Sequence, residues 1–573
     1  MQLTRGIATL PDYIIGFYAG HNASACIGYK GELVYAIQEE RLTGEKNYWG
    51  VPANAIQACL RHTGAKPRDL CAIVHGGNRV SARYHSRDDV LRAYRRHGSI
   101  VGRIRQRLAM PIILAVKPTF GQSTVLECLA KLELEDVPTT FYDHHTSHAA
   151  SAYYGLRKQN SERHLVLTCD GSGDTLSATV RVMGPEGDNV VATTSWHDSL
   201  GAIYSWVTFG LGFVPLEHEY KLMGMAPYAP PEAAEQMAQV FHKYLGMDGH
   251  GLGFKRRTRR RTNDLIELLL KDLRGKRFDY ICAGLQHFTE NILCDWSRNA
   301  VIATGIRDVL GAGGVFMNVK ANKRIAELSE VNSFQAFPSC GDETLSIGAF
   351  YLEAAKQFGN SHVASLKHFY LGDDITPQMA ERAANMSECR VVKPSNVAVE
   401  VATILASGQP IARCAGRMEF GARALGNRSI LADPRNHDVV RVINQMVKKR
   451  DFWMPFAPMV RTEDQQLYLR NPKNLTSPFM MMTFDTRENF RDIIAAVHNA
   501  DLTCRAQILT RDNNPEMYDI LDAFHRLTGR GVILNTSFNL HGFPIVRTAD
   551  EAVDVLRRSG LEHLQIGEYI LSK

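Results

Sequence analysis

The 573-residue chain has no C-x-x-C pair, no apolar run long enough to cross a bilayer, and no tract dominated by one residue type. Its eleven cysteines are scattered and odd in number, which argues against a disulfide framework or zinc knuckle and for reduced thiols in a cytoplasmic setting. Without a membrane-length segment no transmembrane helix is predicted, and the first residues lack the basic-then-apolar pattern of a secretory leader. Charge of neither sign dominates: 66 basic against 60 acidic residues leave +6, a mild hint of anionic ligands that does not require nucleic acid. What is there is ordinary globular composition, 45% hydrophobic and 22% charged, in a chain too long for a single core.

One stretch stands out, Asp143-His144-His145-Thr146-Ser147-His148 followed by Ala149 to Ala152. His144 and His148 are four apart, so a helix places both imidazoles on one face, a spacing suited to two ligands of one metal ion or to simple packing. The motif differs from the metalloprotease H-E-x-x-H, because its second position is His145 where that chemistry needs a glutamate base.

A strand, a small-residue polar turn, a second strand, a glycine turn and a third strand occur twice. The first copy runs from Asp12 through Ala19-Gly20-His21-Asn22-Ala23 to Ile37, and the second from His164 through Asp170-Gly171-Ser172-Gly173-Asp174 to Thr194. Such duplication organises actin-like ATPases, where the turns let backbone N–H groups approach phosphate. A helix begins near Pro52, and a long core helix covers Asp279 to Ala303. Gly313-Gly314 is expected to enter a strand through Val315 to Asn318, open to an adenine or ribose or else an ordinary tight turn. Two basic stretches, Arg92 to Arg107 and Lys255 to Arg261, read as solvated surface, with a nucleic-acid contact as the other reading.

Punctuation by Gly and Pro between 358 and 396 predicts a connecting segment. It is followed by a second α/β unit over 397–573, containing strands at Ile411–Cys414 and Val532–Leu534. In this unit Arg417, Arg423, Arg428, Lys448, Arg450 and Arg505 lie among glycines and apolar strands, and Glu419 is the only acid between Gly416 and Ala432. Guanidinium forks in such surroundings suit phosphate oxygens; structural ion pairs are the alternative. In the first unit His144, His148, Asp170 and Asp342 can converge as two imidazoles and two carboxylates, a donor set closer to a ferrous site than to a structural zinc site.

These segments resemble the NodU/CmcH-type (TobZ-like) carbamoyltransferase family. The resemblance is carried by His21 to Ala25, Glu39-Glu40-Arg41, Asp143 to Ala152, Asp170 to Gly173, Glu219 to Tyr228, Gly313 to Asn318, Gly341-Asp342, Gly416 to Arg435, Lys448 to Pro455 and Asn535 to Asn539, in order along nearly the whole chain. It implies an α/β fold with a duplicated actin-like (ASKHA, TsaD-like) domain over 1–357 and a YrdC-like domain over 397–573. The latter's Lys-x-Arg and Ser-x-Asn signatures are met by Lys448-Lys449-Arg450 and Ser537-Phe538-Asn539. The implied activity forms carbamoyl-adenylate from carbamoyl phosphate and ATP with Mg²⁺, with Lys448 and Arg450 as catalytic residues. Arg417, Arg423, Arg428, Arg505, Asn535, Ser537 and Asn539 are expected to bind the anionic substrates. The adenylate is then expected near Gly171, Ser172, Gly313, Gly314 and Asn318, beside Fe²⁺ held by the two histidines and two aspartates. From there the carbamoyl group passes to a hydroxyl of a small molecule or saccharide, as in natural-product and antibiotic biosynthesis, with His21 either accepting the hydroxyl proton or only fixing its hairpin. No membrane or nucleic-acid partner is expected, and a homodimer is left open. The alternatives are threonylcarbamoyl transfer to tRNA adenosine and an actin-like ATPase serving as a regulatory module. Two positions depart from the family pattern: Asn22 stands in place of Asp in H-D-A-S-A, and Ala422 in place of Pro in G-P-R-A-L-G.

Overall fold

The computed structural model describes residues 12–80, 86–99, 102, 121–159, 162–448 and 451–573. Lys449 and Arg450 lie outside these residues, as do Arg103, Arg105 and Arg107 of the first basic stretch.

Both predicted hairpins form, and each starts a five-stranded sheet of the same order. In the first sheet the strands run Glu32–Gln38, Ser24–Tyr29, Tyr13–Tyr18, Leu70–His75, Thr139–Phe141; in the second they run Gly187–Ser195, Leu176–Gly184, His164–Gly173, Asp308–Ala312, Ser333–Ala336. The hairpin strands pair antiparallel, and the last two strands of each sheet join in parallel. The central strands are buried on both faces, and so they read as continuous apolar runs. The last strand of each sheet leads to a helix, His144–Leu156 from the first and Leu345–Phe358 from the second.

These two helices press against one another between the sheets. Asp143 caps the first, accepting from the Thr146 N–H at 2.9 Å, and Ala149, Ala150 and Ala152 present a surface small enough for close approach. Gly348 completes the contact, because a methyl group there would collide with the Ser147 carbonyl oxygen. The N-termini of both helices therefore end at one place, where the histidines sit.

Two expectations change. Val315 to Met317 is not a strand: the strand is Asp308–Ala312, after which Gly313 takes a left-handed φ of 94° and the chain enters a 3-10 turn at Gly314–Met317. The segment 358–396 is more than a connector. It supplies the helix Pro377–Asn385 and the edge strand Arg390–Val392 to an eight-stranded sheet. From that edge the sheet continues through Tyr569–Ser572, His563–Ile566, Ile411–Cys414, Arg428–Ala432, Val532–Ser537 and Ala457–Arg461 to Gln507–Leu509. The two halves also share a core, in which Leu469, Phe484 and Cys504 of the second pack in one cluster with Phe316 and Ile325 of the first. Lys473 fastens this contact by donating to the carbonyls of Ala326, Leu328 and Val331, each at 2.7 Å. Among the described residues no helix is long and apolar enough to cross a membrane.

Candidate metal centre and anion site

His144 and His148, one helical turn apart, converge with Asp170 from the turn of the second hairpin and Asp342 from the entry to the helix Leu345–Phe358. His148 Nε2 lies 3.2 Å from Asp170 Oδ2 and 3.6 Å from Asp342 Oδ1, and His144 Nε2 lies 3.7 and 3.8 Å from the same oxygens. One donor atom from each of the four lies within 4.8 Å of all the others. His144 Nε2 is buried with no hydrogen-bond partner among the described residues, an expensive arrangement unless a cation binds there. Burial opposes charge on both partners, yet the carboxylates raise His144 to about 9 and the imidazoles hold Asp170 well below the usual carboxylate range. The field at the point of convergence favours positive charge, and two nitrogens with two oxygens and no thiolate fit a divalent ion of the ferrous type.

An outer layer of hydrogen bonds orients these ligands. The Tyr18 hydroxyl donates to Asp342 Oδ2 at 2.9 Å, the Gly314 N–H donates to Asp170 Oδ2 at 3.2 Å, and the His144 N–H donates to Asp174 Oδ2 at 3.0 Å. Ser339 and Cys340 both take left-handed φ values, 76° and 55°, just before Gly341-Asp342, and Ser339 Oγ bonds the buried carboxyl of Glu343, which burial pushes up to about 7. Reading the sequence missed Tyr18, Asp174, Ser339 and Glu343. The available signals were adjacency to His21, to the Asp170 turn and to Asp342.

His21 sits on the short ladder Gly20–His21 against Trp49–Gly50, its ring 5.2 Å from the Trp49 ring. Burial lowers its pKa against the pull of Asp342 and Asp170, which keeps the imidazole neutral and able to accept a proton. His145, without a role from sequence, packs with its Nδ1 2.9 Å from Thr168 Oγ1. Of the expected adenylate contacts, Gly171 faces open space, Ser172 is exposed, and Gly313 and Gly314 lie against the Asp170 turn. Asn318 caps the helix Val319–Glu327, and its amide exchanges hydrogen bonds with Gln286 at 2.9 and 3.0 Å.

In the second half Lys448 Nζ donates to Ser537 Oγ at 2.9 Å and to Asn539 Oδ1 at 2.5 Å, so residues 89 and 91 apart in sequence meet at one end of the strand Val532–Ser537. Two arginines expected beside them are spent elsewhere. Arg428 donates to the carbonyls of Ala415, Gly416, Asn427, Arg547 and Asp373, and Arg417 to those of Val34, Leu371 and Gly372. Both organise the loop between strands, and Arg417 ties it to the first sheet. Asn535 is likewise engaged, with the Ala424 carbonyl and Gln507 Oε1. Arg505 lies between the strands Thr503–Cys504 and Gln507–Leu509. The Lys255 to Arg261 run is partly neutralised at home: Lys255 and Arg256 lie 3.8 and 2.7 Å from Asp198, and Arg260 lies 3.3 Å from Glu267.

Comparison with known proteins finds two carbamoyltransferase profiles along the chain. The sequence profile described as carbamoyltransferase N-terminus matches residues 14–351, and that described as carbamoyltransferase C-terminus matches residues 402–573. Nodulation protein NolNO of Sinorhizobium fredii is 30% identical over 96% of this chain and 79% of its own length. Nodulation protein NolO of Bradyrhizobium diazoefficiens is 30% identical over 75% of this chain and 79% of its own. Among solved structures, full-length HypF in its phosphate- and nucleotide-bound form aligns with 61% of this chain and 56% of its own at 15% identity and a TM-score of 0.34, too distant to bear on function.

Proposed function

The chain belongs to the carbamoyltransferase family, and we propose that it is an ATP-dependent O-carbamoyltransferase working in two steps at two sites. The observation that carries the proposal is the pair of separate polar constellations: a buried His/His/Asp/Asp cluster between the first two sheets and a Lys/Ser/Asn cluster on the third.

In the first step carbamoyl phosphate, water and ATP become carbamoyl-adenylate, phosphate and pyrophosphate. Lys448, oriented by Ser537 and Asn539, meets the phosphate charge, and the second half acts as a YrdC-like unit with Mg²⁺ accompanying the nucleotide. In the second step the acceptor hydroxyl oxygen bonds the carbamoyl carbon while the bond from that carbon to the AMP phosphate breaks. Neutral His21 takes the hydroxyl proton on its imidazole. His144, His148, Asp170 and Asp342 would hold a ferrous ion, and the chemistry it would supply there is Lewis-acid polarisation of the carbamoyl carbonyl. Gly171 faces open space and leaves room for the nucleotide at the edge of that cluster, while Gly313 and Gly314 let the chain pass close against the Asp170 turn. The acceptor class is a hydroxyl-bearing small molecule or saccharide, and the eleven unpaired thiols support a cytoplasmic setting.

The test is carbamoyl-phosphate-dependent incorporation of labelled pyrophosphate into ATP by the purified chain. Incorporation that requires carbamoyl phosphate is expected; no incorporation with Mg²⁺ present sinks the adenylate step.

A further inference from the structure

Lys448 is the last residue of a π-helical turn, Asn444–Lys448, a rare backbone form concentrated at functional sites. Its own half holds this turn from one side. The His541 N–H donates to the Val447 carbonyl at 3.1 Å, and His541 Nδ1 lies 2.6 Å from the Lys448 carbonyl. Asp451 follows in the chain, within about 11 Å of Lys448 by backbone length alone, and there the loop is fastened to the other half.

Asp451 Oδ2 pairs with Lys221 Nζ at 2.9 Å, and the Trp453 indole N–H donates to the Lys221 carbonyl at 3.1 Å. Lys221 belongs to the helix Glu219–Met225 of the first half, so one residue takes both contacts, through its side chain and through its main chain. The ion pair is mostly withdrawn from water, with side-chain exposures of 16% for Lys221 and 31% for Asp451. The Lys221 ammonium also lies 5.4 Å from the centre of the Phe213 ring, which favours its charge at this place. One turn further along the helix, a methyl at Gly224 would stand 2.7 Å from Met454 Sδ, so the helix surface is cut back where Met454 rests. His498 Nε2 of the second half lies 2.7 Å from the Gly224 carbonyl and closes the same contact.

We infer that Lys221 is a positioning residue for Lys448: by clamping Asp451 and Trp453, the first half holds the loop that carries the lysine of the second half. This rests on the adenylate reading of the Lys448 site. Lys448 Nζ meets Ser537 and Asn539 at the end of a long side chain, and its alignment depends on a fixed stem. An ammonium on a loosened loop loses the preorganisation on which stabilisation of phosphate charge depends. Adenylate formation thereby depends on a residue of the opposite half, acting through Asp451.

The test uses the full chain in Lys221→Met, Lys221→Arg, Asp451→Asn and the double variant Lys221→Met/Asp451→Asn. In Lys221→Met the turnover of carbamoyl-phosphate-dependent pyrophosphate exchange is expected to fall roughly 10- to 100-fold, while KM for ATP moves less than about threefold. Lys221→Arg keeps the charge and is expected to restore most of the loss. The double variant is expected to be no worse than the poorer single one, because both substitutions remove the same contact. Iron stoichiometry is expected to stay unchanged throughout. Lys448 is 4% exposed, so its acetylation by acetic anhydride, followed by mass spectrometry against exposed lysines of the same chain, is expected to quicken in Lys221→Met. Exchange unchanged in Lys221→Met, or losses that simply add in the double variant, overturns the inference. If the unmutated chain lacks exchange, the adenylate reading fails and the acetylation rate decides: quicker labelling of Lys448 in Lys221→Met upholds the clamp, and an unchanged rate overturns it. Asp451→Asn removes the same ion pair from the other side, so the comparison stands even if Lys221→Met does not fold.

Discussion

Replacing Tyr18 by Phe removes one oxygen and leaves the ring stacked on His75, whose centroid is 5.7 Å away. What is lost is the hydrogen bond of 2.9 Å to Asp342 Oδ2, the bond that aims the carboxylate into the cluster. A hydrogen bond to a charged acceptor contributes about 1.5–3 kcal/mol. If that contribution acts mainly on the metal-bound state, affinity falls roughly 10- to 150-fold, overlapping the roughly 10- to 100-fold range for outer-layer partners of metal ligands. The assay is competition for ferrous iron against a chelator of known affinity under anaerobic conditions, with circular dichroism to confirm the fold. Pyrophosphate exchange should be untouched, because Lys448, Ser537 and Asn539 do not contact Tyr18. Iron affinity within twofold of the unmutated chain would refute the argument, showing that Asp342 is not held by Tyr18 or is not a ligand.

Lys448→Ala should abolish pyrophosphate exchange and leave iron stoichiometry unchanged, measured by metal analysis of the purified variant. His148→Ala should do the reverse, losing iron while exchange survives; full iron occupancy in this variant would remove His148 from the ligand set. Gly348→Ala should destabilise the first half by about 3 kcal/mol, the upper end for overpacking, and lower iron affinity by moving the helix that bears His148; urea unfolding and chelator competition measure the two effects. His75 is lowered from 6.5 to about 4 by burial, with its Nε2 accepting the Ala19 N–H and its Nδ1 2.6 Å from the Gly77 carbonyl. Because the unfolded chain takes up this proton first, the stabilisation is complete above pH 6.5 and fades as pH falls toward 4, a loss of roughly 3 kcal/mol. Urea unfolding at pH 7 and pH 5 should show a smaller drop for His75→Gln than for the unmutated chain.

Local patterns were legible in the sequence. The helix capped by Asp143 and the two hairpins depend on spacing within a dozen residues, and the structure forms them nearly where expected. Tyr18 escaped notice because its partner lies 324 residues away, and nothing in a lone tyrosine at a strand end announces a carboxylate. Arg417 and Arg428 misled for a different reason. A sequence displays cations and carboxylates, but the acceptors that engage these two are main-chain carbonyls, which every residue carries. The connecting segment was misread because Arg390–Val392 is a three-residue edge strand, stabilised by its neighbour Tyr569–Ser572 rather than by any pattern of its own.

The matching order of the first two sheets has a consequence for symmetry. Each half of the duplication ends in a helix, and both helix starts reach the same point, where one carries His144 and His148 and the other follows Asp342. Two copies held in one chain need not carry the same residues at equivalent places. Here the imidazoles stand on one helix start and a carboxylate just before the other, so a pseudo-twofold scaffold presents four donors that no twofold axis relates.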